Sequence, residues 1–570
     1  MPATHRYAAL TVFGFLALLG GCKTKVTGPS RPRVIPPGVA GTISEYADLI
    51  GANEMLVKGY GMVVGLGDGG SSEVPGAIRE YLVQDMLKRG IASPRAGAGA
   101  LSVSRMLKDK DTAVVVIGGQ IPPAAPVGTR FDLHVEAPPR TQTTNLDGGY
   151  LLPVDLRFAL AGRMATFWRS RPWGEGKGSV FVNPFAARAE SLAQAKLRSG
   201  TVLNGGVVTR ERSIRLELRR PSYHIAGLIE RLVNERFTTD EDKKVAEAKT
   251  SAMVDLHIPP AWRDDYRHFL ELVMHLYLVG GPGGNERHAR QLARAIVLPT
   301  ARHEDIALVW EAMGKQVLGV ILEHYTSDNQ AAAFYAARTG LRLGDAMALD
   351  PMIEIAQRPS PFQIAAVEAL GDASQFRQVA RKIKWMLSST DELLRVAAYE
   401  ALLKHGWSSS IRRVAATRHF VLDVVDSDRD YVIYATRTGE PKIVMFGRKI
   451  PIRLPVFYSP GDELVTVNAS DKDKAVVVYR KLPRGAGNSA PFNVDPLAEQ
   501  LAKTLAMRAE PGIDGKVQGL GLSYSQVVGV LQGMCQAGHI PARFVLQQPP
   551  AIRRIYSAAT GVGRPDTPEE

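Results

Sequence analysis

The chain has 570 residues, room for roughly three to five domains of ordinary size. Hydrophobic residues at 45% and charged residues at 22% give it a globular composition, and 70 basic against 57 acidic side chains leave a formal charge of +13, which favours anionic partners such as nucleic acid, an anionic glycan or lipid headgroups. Two cysteines exclude a disulfide scaffold and a multi-cysteine zinc site.

His5 and Arg6 precede an apolar run from Tyr7 to Leu19, too short to span a bilayer and shaped like the core of a secretory signal. It ends in Leu19-Gly20-Gly21-Cys22, which resembles a bacterial lipobox. Cys22 is therefore the candidate lipidation site and the first mature residue. Acylation there leaves Cys535 without an intramolecular partner. Pro29, Pro32, Pro36 and Pro37 make 22–40 an extended tether.

In the folded part, the string from Gly59 to Gly70 invites comparison with a dinucleotide loop. Three residues separate Gly61 from Gly65, and the glycines flank a strand-like Met-Val-Val, so the segment reads as a glycine-punctuated strand and turn. Ile78, Tyr81, Leu82, Met86 and Leu87 recur at helical spacing, and Gly90 sits where a left-handed cap belongs. Strand patterns follow over 112–117, at Phe131, Leu133 and Val135, and over 150–156 after the turn Asp147-Gly148-Gly149. A less regular stretch intervenes. Ile214, Leu216 and Leu218 then alternate as a strand, and Ile225, Leu228, Ile229, Leu232 and Val233 mark a helix. A strand over 253–258 stops at Pro259-Pro260 ahead of a last helix over 262–278. This order predicts a compact mixed domain rather than a barrel or bundle.

From about Glu304 to Lys404 the chain turns to alanine, leucine and helix formers. Ile364-Ala365-Ala366-Val367-Glu368-Ala369-Leu370 recurs as Val396-Ala397-Ala398-Tyr399-Glu400-Ala401-Leu402, an offset of 32 residues, which implies stacked units similar to short HEAT repeats. Asp350-Pro351 is expected to start one helix, and Ser389 with Glu392 has capping-box spacing for another. After Arg418 six strands are expected up to Tyr479. Ser523 with Gln526 then caps a helix closed by Gly538, and 542–546 reads as a strand.

Catalytic signatures are missing from the sequence. No phosphate-binding Gly-x-x-x-x-Gly-Lys-Ser/Thr, no His-Glu-x-x-His and no Gly-x-Ser-x-Gly occurs, so no catalytic, cofactor-binding or metal-binding residues are assigned and no cofactor is expected. A lone His257 reads as packing. The basic, aromatic stretch from Arg163 to Trp173 reads as a solvated or subunit-contacting loop before a nucleic-acid or acidic-glycan site.

The run Ile43-Ser44-Glu45-Tyr46-Ala47-Asp48-Leu49-Ile50 through Gly65-Leu66 resembles the mature start of the bacterial flagellar basal-body P-ring protein family. Further blocks are similar to that family: 113–132 with Ile121-Pro122-Pro123 and Gly128-Thr129-Arg130-Phe131-Asp132, 216–237 with Arg220-Pro221-Ser222-Tyr223, 254–259, the hairpin Arg437-Thr438-Gly439, and 523–546. The resemblance divides the chain into a lipoprotein signal peptide (1–21), a tether (22–40), a P-ring-like α+β region (41–300), an inserted all-α segment of HEAT-like repeats (301–415), a second P-ring-like α+β region (416–548) and a polar tail (549–570). It implies a non-enzymatic subunit that self-assembles into a ring around the flagellar rod and supports motility. Rod and L-ring proteins and peptidoglycan would be its neighbours, a lipid anchor would hold it to the outer membrane from the periplasmic side, and nucleic acid is not expected. The lipobox, the missing cysteine pair and the helical insertion depart from the usual family pattern. The alternatives are a monomeric outer-membrane scaffold lipoprotein that binds partners through its helical repeats, and a glycan-cleaving enzyme.

Overall fold

The computed structural model describes residues 39–90, 103–139, 141–159, 170–184, 197–238, 244–279, 283–406, 409–416, 419–460, 463–481, 487–507, 510–511 and 517–547. Cys22, the signal peptide and most of the stretch from Arg163 to Trp173 lie outside these residues.

The fold is α+β. After a short strand β1 (Ala47–Ile50) come β2 (Met55–Val64), β3 (Thr112–Ile121), β4 (Arg130–Glu136), β5 (Tyr150–Phe158), β6 (Gly174–Ser179) and β7 (Ser199–Val208). The last six close into a barrel in the order β2-β3-β4-β7-β6-β5. This corrects the expectation of a mixed domain without a barrel. The reason lies in the irregular stretch: the alternate residues of β6 that would betray an inward face are Gly174, Gly176 and Gly178, so the strand carries no apolar alternation. Those glycines have a packing role. A Cβ on Gly206 would lie 2.7 Å from the Phe131 ring, and one on Gly176 would lie 2.5 Å from Leu133, so a narrow barrel fills its interior with a few large side chains set against bare backbone. Helix α1 (Gly76–Lys88) covers the outside, where Ile78, Leu82 and Met86 pack on Met62 and Val114, and Gly90 follows it at φ 71°.

A second sheet, β1-β8-β10-β9, adds β8 (Ile214–Leu218), β9 (Ala246–Ala248) and β10 (Met253–Leu256). Helices α2 (Tyr223–Phe237) and α3 (Tyr266–Met274) share one core with this sheet and the barrel, and Phe237 meets Phe269 edge-on at 5.0 Å. His257 is exposed just beyond β10, which corrects its reading as a packed histidine.

Helices dominate from α4 (Gly284–Ala295) through α5 (His303–Met313), α6 (Gln330–Arg342), α7 (Leu349–Gln357), α8 (Gln363–Asp372) and α9 (Gln378–Ile383) to α10 (Glu392–Lys404). Lys382–Asp350, Lys404–Asp372 and Thr339 with the Ala307 carbonyl each bond across 32 positions, the offset of the sequence echo. Two helix starts differ from expectation. Asp345, not Asp350, caps the turn leading into α7, and Asp350 sits in the first turn of α7. Asp391 caps α10 by accepting from the amides of Leu393 (2.8 Å) and Leu394 (3.3 Å), while Ser389 only supports Asp391. A carboxylate two residues nearer the helix takes the capping position from the serine.

Strands return at Ile411, earlier than Arg418. A five-stranded sheet runs β11 (Ile411–Ala416), β12 (Val421–Val425), β14 (Lys442–Phe446), β13 (Val432–Ala435), with Arg543–Leu546 on its edge. It is buried on both faces. Val432, Tyr434, Val444 and Phe446 join the core of the helical stack, whereas Ile433, Ala435, Ile443 and Met445 join that of the last helices, α11 (Ala498–Ala506) and α12 (Tyr524–Gln536). That two-sided burial explains the nearly unbroken apolar runs. A small antiparallel sheet, β15 (Val456–Tyr458), β16 (Val465–Ala469), β17 (Val476–Arg480) and β18 (Phe492–Val494), completes this end. The Ser523/Gln526 capping box forms as expected, and Gly538 follows α12 at φ 77°.

Candidate functional site

Among the described residues no group of three or more His, Cys, Asp and Glu side chains could hold a metal ion. The two best-formed hollows, about 540 and 390 Å³, are open grooves beside the strand Arg543–Leu546. Cys535 lines the smaller one, and burial pushes its thiol up to about 12, which keeps it protonated and unreactive at neutral pH. Polar chemistry concentrates at three joints, where segments distant in sequence are locked together.

The first joint fastens the barrel to the end of the chain. Asp132 on β4 accepts from the amide of Asn204 (2.6 Å) and from the amide of Gly439 (3.1 Å), the glycine of the Arg437-Thr438-Gly439 hairpin between β13 and β14. Burial raises the carboxyl of Asp132 above its ordinary range, against the pull of those two amides. Gln547 holds the same hairpin by accepting from the amides of Arg437 (2.8 Å) and Thr438 (3.2 Å). At the N-terminus of α12, Ser525 donates to Asp147, and a Cβ on Gly148 (φ 76°) would lie 2.7 Å from Gln526. The turn read as Asp147-Gly148-Gly149 thus serves as a seat for that helix. Phe181 packs on Tyr524 at 5.4 Å, and the Tyr524 hydroxyl donates to the Thr436 carbonyl (2.8 Å). Phe181 and Leu203, from the barrel side, are members of the C-terminal core.

The second joint attaches the helical stack to the first region. His268 on α3 meets Glu311 on α5 at 2.6 Å, both buried, with Arg342 of α6 3.5 Å from the same carboxylate and Glu271 3.6 Å from the other ring nitrogen. Burial works against the charged imidazole, but hydrogen bonds to Glu271 and Glu311 outweigh it and raise His268. Glu311 is likewise penalised by burial, yet His268, Arg342 and Arg338 hold it below the ordinary range. Arg236 donates to the Ala312 (3.1 Å) and Glu311 (3.2 Å) carbonyls, satisfying the end of α5 where a cation is favoured.

The third joint sets the stack on the five-stranded sheet. Tyr399 on α10 donates to Asp423 (2.7 Å), which is fully buried and also receives Arg413 through two nitrogens at 3.0 and 3.3 Å. Arg395 donates to the Asp430 carbonyl at 2.7 Å. Arg543 pairs with Glu392 at 2.9 Å.

Of the residues singled out from sequence, Arg437-Thr438-Gly439 and Ser523 with Gln526 fall at the first joint. Trp173 carries Arg210 over its ring at 4.2 Å. Asp132 is marked in the sequence only as the end of the family-like block Gly128–Asp132, while His268, Glu311 and Asp423 carry no sequence signal, because each is a single polar residue whose partner is remote in the chain.

Residues 42–280 match the family model described as flagellar P-ring protein. A flagellar P-ring protein of Thermotoga maritima is 30% identical over 240 residues, 40% of this chain and 65% of the relative. One from Paramagnetospirillum magneticum is 28% identical over 235 residues, covering 39% and 56%. One from Anaeromyxobacter dehalogenans strain 2CP-1 is 28% identical over 310 residues, covering 52% and 74%. The chain thus spans somewhat less than two thirds of the length of several of these relatives.

Proposed function

We propose that the chain, whose residues 42–280 match the family model described as flagellar P-ring protein, is a structural subunit of a flagellar basal-body P-ring, or of a P-ring-like ring in the periplasm, that surrounds the rod and supports motility. The observation that carries this reading is the first joint. The barrel, which lies wholly inside the family match, is bonded to the hairpin and helix of the C-terminal region, so the parts on either side of the insertion form one rigid building block. A ring subunit needs that rigidity, because a closed circle of identical heterologous contacts fixes the angle between two patches of each copy. In this reading rod and L-ring proteins and peptidoglycan are neighbours, and the role is mechanical rather than catalytic.

Two finer elements belong to the same proposal. Cys22 carries a lipid that anchors the mature chain to the outer membrane, and the stack from α5 to α10 is an insertion of HEAT-like repeats that presents its outer face to a neighbour.

Sedimentation velocity and negative-stain microscopy of the purified protein, alone and with isolated rods, test the reading. Rings are expected, with rods as nucleus if needed. A monomer under both conditions, or a deletion strain that swims with intact basal bodies, overturns it.

A further inference from the structure

We propose that the exposed face of α9 and the turn that continues it, Lys384–Ser388, is a contact surface for an anionic lipid leaflet. The segment is sharply two-sided. Val379, Ala380, Ile383, Met386 and Leu387 are buried in the helical stack, while Arg377, Arg381, Lys382, Lys384 and Trp385 are exposed. At 100° per residue Arg377 and Arg381 fall roughly 40° apart on α9, and Lys384 and Trp385 continue the exposed side into the tighter 3₁₀ turn. Trp385 is 49% exposed, one of the largest apolar surfaces the stack leaves in solvent.

Charge balance sharpens the case. Lys382 pairs with Asp350, and Lys384 acts on Asp426, which is also bound by Arg448. Arg377 and Arg381 have no carboxylate partner among the described residues. Arg448 and Lys449 are exposed on the turn after β14, where Arg448 meets the same Asp426 as Lys384 and exposed Asp428 stands beside it, so the unpaired positive charge is concentrated at Arg377 and Arg381. Neither of the two best-formed hollows includes any of these residues. A cationic face with an exposed indole that lines neither hollow does not match the enclosed, mostly apolar lining of a small-ligand site. It has what a phosphate-bearing leaflet requires: cations for the headgroups and an amphipathic ring for the interface. The inference depends neither on lipidation at Cys22 nor on ring formation.

The test uses the full chain, sedimented with vesicles of phosphatidylcholine alone and of phosphatidylcholine mixed with phosphatidylglycerol. The readout is the gain in binding caused by phosphatidylglycerol, since any attachment through the apolar N-terminal segment is common to both vesicles. Each surface cation contributes roughly fivefold, so the triple variant Arg377→Ser, Arg381→Ser, Lys384→Ser should lose roughly a hundredfold of that gain, and the gain should shrink with salt. Trp385→Ala should weaken binding without altering the salt dependence, and Arg377→Lys with Arg381→Lys should keep it. All the changed side chains are exposed, so an unchanged circular dichroism spectrum is expected. The proposal is overturned if phosphatidylglycerol adds nothing to the wild-type chain, if the triple variant retains the gain, or if that variant loses self-association while vesicle binding persists, which would make the face a contact between copies.

Discussion

Asp132 accepts a hydrogen bond at 3.1 Å from the amide of Gly439, a residue 307 positions further along the chain. Between them in sequence lie half the barrel, three of the four strands of the second sheet and the entire helical stack, so this contact joins the two ends of the folded chain. It also costs something, because the carboxylate is held where burial disfavours its charge.

Substitutions at Asp132 separate those two effects. Asp132→Ala leaves the amides of Asn204 and Gly439 without their acceptor and should destabilise by about 1–3 kcal/mol. Asp132→Asn keeps an acceptor oxygen and removes the buried charge, so its urea midpoint should lie slightly above wild type at neutral pH. A folded pKa raised above the unfolded one means the carboxylate's cost is present above that folded value and fades as pH falls through it. The wild-type disadvantage against Asp132→Asn should therefore disappear in acid. Equal losses for both variants would mean that the charge itself, and not the hydrogen bonding, secures the joint.

Tyr399→Phe probes the seat of the helical stack on the sheet. The variant removes the hydroxyl that donates to Asp423 at 2.7 Å and leaves a fully buried carboxylate with Arg413 alone. A loss of about 1–3 kcal/mol is expected, read as a lower midpoint in urea. Asp423→Ala should cost more than Tyr399→Phe, since it removes the acceptor of both the buried tyrosine hydroxyl and the half-exposed Arg413 guanidinium. A Tyr399→Phe midpoint within error of wild type would show that Arg413 alone satisfies the carboxylate.

What the residues reveal and conceal follows from the range over which each signal acts. The alternation of Phe131, Leu133 and Val135 specifies β4 locally, and the Ser523/Gln526 spacing specifies the start of α12, because each is complete within a few positions. Barrel closure is not local: it depends on β6 and β7 accepting the bulk of their neighbours, and a strand whose inward residues are glycine looks like a loop. The Ser389 cap failed for a related reason, as a better acceptor two residues on starts the helix later and holds the amides of Leu393 and Leu394. The joints are the extreme case. His268 and Glu311 stand 43 positions apart, and no spacing rule links an imidazole on one helix to a carboxylate on another. The cationic face of α9 was hidden differently, since its four basic residues look like ordinary solvated charge until the buried face beneath them is seen.

The His268–Glu311 joint should respond to pH on both sides. His268 is raised above its ordinary 6.5, so its contribution is full below the unfolded value and is lost as pH rises through the folded one. Glu311 is held below its ordinary 4.5, so its contribution is full above 4.5 and is lost as pH falls through its folded value. Urea midpoints should therefore peak between these limits. His268→Gln should abolish the alkaline decline attributable to this pair, and Glu311→Ala should cost about 3 kcal/mol at neutral pH. A wild-type profile with no alkaline decline beyond that of His268→Gln would show that the imidazole is neutral in the folded chain.

Two helical glycines should respond oppositely to the same substitution. Gly371 on α8 faces α10, and a Cβ there would lie 2.9 Å from both Cα and Cβ of Ala401, inside the echo that defines the 32-residue offset. Gly227 on α2 is also helical, but a Cβ there would meet nothing within 4 Å. Alanine is favoured over glycine in a helix by about 1 kcal/mol, which is all that Gly227→Ala should show, as a rise in stability. At Gly371 the same gain is opposed by backbone that must move apart, and overpacking of this kind costs about 1–3 kcal/mol. Gly371→Ala should therefore be neutral to destabilising by about 2 kcal/mol, with Gly371→Val worse because β-branching adds bulk on the same side. Urea midpoints of the three variants decide it. A stabilised Gly371→Ala would mean that α8 and α10 do not pack through this pair, and that the 32-residue echo has no close helix contact behind it.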